Sequence, residues 1–492
     1  MTTSDAQYAA WLEDSTAQRV TLYRVGCLSG GVQVTRRLSS RPFVGSAAAP
    51  YIAAIAKGLE ITQSISIDGD ARLSAGDVEV WNVNGEFDLW FSDVWANQRV
   101  EVYIGDARWE ESDFRLSFVG NLADIAYGSG RTTLVLKFRD ALQRLNTPVS
   151  EAKMADGTLY PVALGEVANM TPKYDAVTGR YYYHCGPAEG LCLPDLVRTD
   201  GKARKSDVTD DLANGRFSFN TAVGPGAVTC SVQGDKTGGV YRNRIAPLVQ
   251  LLATAYGKES TRMTAADIDA ANFTAFDLAN PQPVGLAILD RTNVLAAIAL
   301  LASSKGAQLI PSMLGKLRLL QYAIPASAVL DLPRSMQVQN EQGESTLTPV
   351  ARTTPAAAVQ IGYCRNYTTQ PNLQTSLPAE HKQMFATEWR TYTAVDQATQ
   401  MTYSQYTDPV QIDTCLLTPA DAQAEAERRL AVVKVPRTTY RVELTPAGLL
   451  VELGQARNLF SDRFGLEAGK PGLVTSLTAN FDTYAVTVEV TV

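Results

Sequence analysis

The stretch Val78-Glu79-Val80-Trp81-Asn82-Val83-Asn84-Gly85, with Val100-Glu101-Val102-Tyr103-Ile104 and Thr132-Thr133-Leu134-Val135-Leu136-Lys137-Phe138 behind it, decides the fold. β-branched and aromatic residues recur here at a period of two, the mark of strands with one buried face. Asn84-Gly85 and Gly128-Ser129-Gly130 are turn sequences that favour positive φ, so each is read as a hairpin tip. Residues 19–24 and 59–67 read as further strands, and a meandering antiparallel sheet is expected over residues 19–147. Ahead of it, Ser4 and Gln7 form a capping box for a short helix on which Tyr8, Trp11 and Leu12 share one face. Residues 139–145 read as a brief helix, and Pro148 closes the segment.

Working outward, residues 149–235 are glycine-rich and carry short polar and aromatic pieces such as Tyr181-Tyr182-Tyr183 and the strand-like 216–220. They read as an inserted β-rich module. Ile245, Leu248, Val249, Leu252 and Tyr256 follow helical spacing, with Gly257 as C-cap. A second helix covers 292–304, with Val294, Leu295, Ile298 and Leu301 on one side and Gly306 at its end. Two strands then flank Gly315. From Met336 strands return, interrupted by a helix over 418–434 with Thr418 as cap, Pro419 in the first turn and Asp421 completing the box. Glu425, Glu427, Arg428 and Arg429 are read as its polar decoration. Residues 440–444, 449–453 and 484–492 read as strands of a terminal sheet with one wet face. The expected architecture is mainly β with an α+β middle section, in four parts: 1–148, 149–235, 236–335 and 336–492.

A chain of 492 residues exceeds one ordinary core. Hydrophobic residues at 45% and charged residues at 19% exclude a disordered or fibrous chain. A net charge of -7 gives no basic field to condense on phosphates, so general nucleic-acid binding is disfavoured and no specific nucleic-acid sequence is expected as a partner. Lys202, Arg204 and Lys205 form a cationic cluster that Asp207, Asp210 and Asp211 offset, which reads as a solvated loop. The N-terminus lacks the basic and apolar parts of a secretory signal, and the apolar run 294–302 is too short to span a bilayer, so no stable membrane insertion is expected. Six cysteines without framework spacing fit synthesis in a cytoplasm.

Catalysis requires its residues at a spacing that makes chemical sense. Only His184 and His381 supply imidazoles, and neither a Gly-x-Ser-x-Gly elbow nor a phosphate loop is present; Gly315-Lys316 sits at a strand turn. His184-Cys185 with Cys192 has the wrong spacing for zinc and reads as a packed thiol pair beside a surface histidine. Asp68-Gly69-Asp70 reads as a tight turn, since Arg72 and the lack of a twelfth-position glutamate spoil a calcium loop. Glu110, Glu111 and Asp113 read as a solvated strand end beside Trp109. Trp81, Trp90, Phe91 and Trp95 read as core or subunit interface, with a sugar-stacking platform as the alternative. No catalytic, cofactor-binding or metal-binding residue is assigned.

Several segments nevertheless resemble a known family. Ile65-Ser66-Ile67-Asp68-Gly69, Val78 to Asp88, Val100-Glu101-Val102-Tyr103-Ile104-Gly105-Asp106 and Phe118-Val119-Gly120 match, in order, the N-terminal region of tail proteins from long-tailed bacteriophages and Mu-like prophages. Tyr160 to Asn169 is similar to a phrase that follows in that family. Ala424-Glu425-Ala426-Glu427-Arg428-Arg429-Leu430, then Leu453-Gly454 and Arg463-Phe464-Gly465-Leu466, resemble the ending of baseplate hub proteins. The resemblance implies a non-enzymatic hub of the virion tail tip, built of tube-like β-barrel domains plus inserted modules. It further implies a ring of copies of itself, a homotrimer, meeting a distal tail protein, a tape measure, a central fibre or spike and receptor-binding fibres. A hexameric distal tail ring protein is the alternative within that class; a host-glycan-binding module or a tail-associated cell-wall hydrolase lies outside it.

Overall fold

The computed structural model describes residues 3–45, 50–67, 71–191, 197–204, 207–224, 226–371, 373, 377–404 and 408–492. The first 139 residues supply ten strands: β1 (Arg19–Ser29), β2 (Val32–Ser39), β3 (Ile52–Ala53), β4 (Ile55–Lys57), β5 (Glu60–Ser64), β6 (Arg72–Ala75), β7 (Val78–Trp81), β8 (Arg99–Asp106), β9 (Arg115–Tyr127) and β10 (Thr133–Arg139). Eight of them hydrogen-bond in the order β3-β2-β1-β8-β9-β10-β7-β4. Because β3 and β4 are consecutive pieces of one extended segment broken only at Ala54, the two ends of the sheet meet and form a nearly closed barrel. The Trp81 amide donates to the Ala54 carbonyl at 2.7 Å across the join. Such closure removes exposed edges.

The sheet is not the expected meander. β1 pairs antiparallel with β8, from Arg19↔Asp106 to Val25↔Val100, although six strands intervene in sequence. Gly128 to Gly130 does join the β9–β10 hairpin, with Leu134 opposite Tyr127. Asn84-Gly85 does not tip a hairpin: β7 pairs with β10 and β4, and the turn runs into a short 3₁₀ helix, Asp88–Ser92. Turn residues announce a reversal of the chain; they do not choose the strand it returns to.

β5 and β6 leave the barrel. β5 pairs antiparallel with the long strand Lys470–Asn480, from Ser64↔Ser476 to Glu60↔Asn480, and β6 pairs with β5. The rest of this second eight-stranded sheet is Leu330–Leu332, Ala456–Leu459, Val486–Thr491, Thr438–Leu444 and Thr348–Arg352. Residues 449–453, expected as a strand, follow a different course: Pro446–Leu450 is a 3₁₀ turn, favoured by Pro446 at its start. One hydrophobic cluster runs through both sheets, from Leu12, Val25, Val80 and Val102 to Val442, Leu477, Val488 and Val490. The expected boundaries at 148 and 336 therefore do not separate two cores, because β5 carries the first part of the chain into the sheet of the last.

The middle holds two further clusters. One packs the helices Ile245–Ala255, Ala270–Ala279, Val294–Ser303 and Pro419–Val433 around the hairpin Ala307–Pro311/Leu317–Gln321 and the sheet of Ala358–Tyr363, Arg390–Val395 and Gln411–Asp413. The other lies in the inserted module, where Val162–Met170 pairs with both Val228–Asp235 and Gly285–Ile288. The fold is mainly β, with an α+β middle section, as the strand and helix patterning implied. Among the described residues no helix is long and apolar enough to cross a membrane.

Candidate functional site

Several segments that carry the tail-protein resemblance form joints of the scaffold. Asn82 donates through Nδ2 to Asp88 at 2.8 Å and accepts from the Phe87 amide at 2.9 Å, which locks the loop after β7. Asp106, fully buried at the end of β8, accepts from the Trp11 indole at 2.9 Å, the Gln18 amide at 3.0 Å and the Arg108 guanidinium at 2.6 and 2.7 Å. The Arg108 hydrogen bonds, helped by Trp11 and two backbone amides, hold its carboxyl far below the usual range despite burial. This one carboxylate fastens the N-terminal helix to the barrel. Its neighbour Gly105 must lack a side chain, since a Cβ would lie 2.6 Å from the Phe114 ring. Val119 donates to the Met313 carbonyl at 2.8 Å and so docks the barrel on the middle hairpin. Asn169 bridges Val162–Met170 to Asn366 at 2.7 Å and to the Thr368 carbonyl at 2.9 Å.

The residues considered for chemistry are mostly tied into similar fastenings. Glu111 accepts from Arg24 at 2.6 Å and from the Tyr51 hydroxyl at 2.7 Å, so it is a partly buried pin and not a solvated strand end. Arg204 is paired with Asp207, while Lys205 lies outside the described residues. Asp68-Gly69-Asp70 and Cys192 also lie outside them, as does the side chain of His381. Among the described residues no three His, Cys, Asp or Glu gather as a metal would require.

His184 is not on the surface. It is 1% exposed, its Nδ1 accepts from the Ala163 amide at 3.2 Å, and its Nε2 lies 3.4 Å from Asp235. Asp235 also accepts from the Tyr256 hydroxyl at 2.5 Å and from Thr237 at 2.8 and 2.9 Å. Burial pushes the Asp235 carboxyl up, but the donors from His184, Tyr256 and Thr237 outweigh it and bring it down to about 2. The imidazole is buried because it completes a shell around a buried carboxylate, a reason that no local sequence signal announces. Cys185 beside it is exposed.

The surface is more telling than these pockets of polarity. Trp90 and Trp95 are buried, with Trp95 donating to the Trp90 carbonyl at 2.8 Å, as expected of core aromatics. Trp81, at the end of β7, is 51% exposed and Leu89 is 83% exposed. Phe91 stacks on Tyr127, the last residue of β9, with ring centroids 4.1 Å apart, and Val83 is also exposed. Since β7 and β9 end beside the start of β10, these residues decorate one mouth of the barrel. The outer strand of the second sheet, Thr348–Arg352, is exposed at every residue. Exposed apolar side chains at a barrel mouth and an open sheet edge are features that folded chains cover by contact with another chain.

No family model and no curated protein matches the sequence. Solved structures with a related course include the 43 kDa tail protein of prophage MuSo2 from Shewanella oneidensis, 11% identical, covering 95% of this chain and 98% of that one with a TM-score of 0.40. A tail protein from Neisseria meningitidis MC58 is 10% identical over 96% of each chain, with a TM-score of 0.40. A chain of the virion of a native gene transfer agent particle is 13% identical, covering 71% of this chain and 91% of that one with a TM-score of 0.43. The structural neighbours are thus tail proteins and a virion component, similar in chain course at low identity.

Proposed function

We propose that this chain is a non-enzymatic structural subunit of a phage-type virion tail, and within it a hub of the tail-tip baseplate that joins the tail tube to distal fibres or a spike. One observation carries the reading. A nearly closed barrel with an apolar mouth is fused through β5 to a second sheet whose outer strand is exposed throughout. Such a body buries its own core yet leaves a mouth and an edge to be covered, as a ring-forming subunit requires. The ordered sequence segments that resemble tail proteins support the same role, and those holding Asn82, Asp106, Val119 and Asn169 each reinforce a joint of the scaffold. The partners are further copies of this chain, in a homotrimer, and the neighbouring tail proteins.

Electron microscopy of the purified chain, alone and with assembled tails, tests this. A threefold ring at the tip is expected. A sixfold ring assigns the chain to the distal tail ring, and a chain absent from tails overturns the structural reading. The exposed Trp81 and Phe91 favour a second reading, a surface that stacks host sugars. A glycan pull-down that is lost with Trp81→Ala and not with Trp95→Phe would establish it.

A further inference from the structure

Where the helix Val294–Ser303 ends against the helix Pro419–Val433, charge holds the junction. Glu425 was expected on a polar helix face; it is fully buried. It accepts from Arg428 at 2.7 and 2.9 Å, from Arg429 at 2.7 Å and from Lys305 at 3.1 Å. Arg428 also donates to the carbonyls of Tyr322 and Lys305 at 3.1 and 3.2 Å, and Arg429 to that of Ser303, so both guanidinia cap the end of the first helix. Gly306, at φ +60°, permits this: a Cβ there would sit 2.6 Å from Arg428 Nη2.

The charges do not balance. Among the described residues Glu425 is the single carboxylate paired with these three cations. The helix C-terminus contributes roughly half a negative charge. More than one positive charge is left over, although Lys305 and Arg429 are only 6% and 13% exposed. The same two arginines line a cavity of about 240 Å³ whose other walls include Ala307, Tyr322, Val359, Ile412 and Val433. At about 30 Å³ for each water-sized group, roughly eight heavy atoms fill it. Hydrogen bonds occupy Nε and Nη2 of Arg429, and among the described residues Nη1 is left as a donor for a ligand.

We propose that this cavity binds a carboxylate carried on a short aliphatic stem, the head supplying the missing negative charge to Arg429 and Arg428 and the stem packing on Val359, Ile412 and Val433. A single negative charge brings the surplus down to about half a charge; the walls decide against a phosphate, since Val359, Ile412 and Val433 suit an aliphatic stem and offer a phosphate nothing. The head and stem could belong to a free fatty acid or to the last residue of another chain. The site is independent of the hub assignment, because it is built wholly within one subunit.

Calorimetric titration of the full chain with hexanoate, hexanamide, acetyl-glycyl-leucine and its C-terminal amide tests the proposal. Both acids are expected to bind at least tenfold more tightly than their amides. Arg429→Gln should weaken the acids at least tenfold, and Val433→Phe, which fills the cavity and leaves the Glu425 cluster intact, should abolish binding with an unchanged circular dichroism spectrum. Tighter binding of hexanoate points to a free acid, and tighter binding of the peptide to a chain terminus; either supports the site. Equal binding of acid and amide, or no saturable binding by either acid, overturns it.

Discussion

At the scale of single residues, two buried carboxylates set the strongest expectations. Burial would raise the Glu425 carboxyl, but the Arg428 hydrogen bonds and the charges of Arg428, Arg429 and Lys305 hold it below its ordinary value. Glu425→Gln keeps the shape and leaves three cations facing no anion, so a loss of about 3–5 kcal/mol is expected from urea unfolding. Glu427→Gln, two positions away and exposed, should change stability by less than about 0.5 kcal/mol. Equal effects would mean that water already screens the cluster. Asp235 behaves differently with pH. Its folded pKa is depressed, so in acid the unfolded chain binds the extra proton; the stabilisation is complete above the ordinary carboxylate range and is lost as pH falls toward about 2. The shift corresponds to about 2 kcal/mol. Comparing wild type with Asp235→Asn, the stability difference should shrink steadily from pH 5 to pH 2; a constant difference would show that the mutation acts through packing instead.

At the scale of elements, β5 is the strand on which two sheets depend. Ile61 is fully buried within the shared cluster and opposite Ala479. Ile61→Ala should cost about 2–5 kcal/mol, and hydrogen exchange should then rise in both the barrel strands and the strand Lys470–Asn480. Faster exchange confined to the barrel would refute the coupling. Features of this kind were only half legible in the sequence. The capping box of Ser4 and Gln7, and the Thr418–Asp421 cap with Pro419, are local patterns, and both form as read. The strand character of β5 was equally plain, but its partner was not: Thr62 meets Thr478 across 416 positions, and period-two alternation says which face is buried without saying against what. The same distance hid the cation cluster, since Lys305 and Arg428 stand 123 positions apart. The surface position expected of His184 fails for a related reason, because the carboxylate it serves lies at the end of the distant strand Val228–Asp235.

At the scale of the whole molecule, the first and last parts of this sequence share one hydrophobic cluster, and this makes the N-terminal barrel dependent on residues as much as 460 positions away. A fragment of residues 1–148 retains every strand of the barrel sheet, yet it strips β5 of Lys470–Asn480 and exposes Leu59 and Ile61, both fully buried in the intact chain. It also strips Thr21 of its acceptor, the Phe481 carbonyl at 2.7 Å. Burying a large apolar side chain contributes about 1.5–3 kcal/mol, and a domain's whole margin is about 5–15 kcal/mol, so losing several such contacts at once should leave the fragment unfolded. The expected result is a fragment with no cooperative thermal transition, while co-expression with residues 330–492 restores one. The intact chain should unfold the barrel and the second sheet together, followed as coincident loss of Trp95 fluorescence in single-tryptophan variants and of amide protection in Val486–Thr491. A fragment of 1–148 that melts cooperatively by itself would show that the barrel is an independent domain and that the shared cluster is an interface added to it.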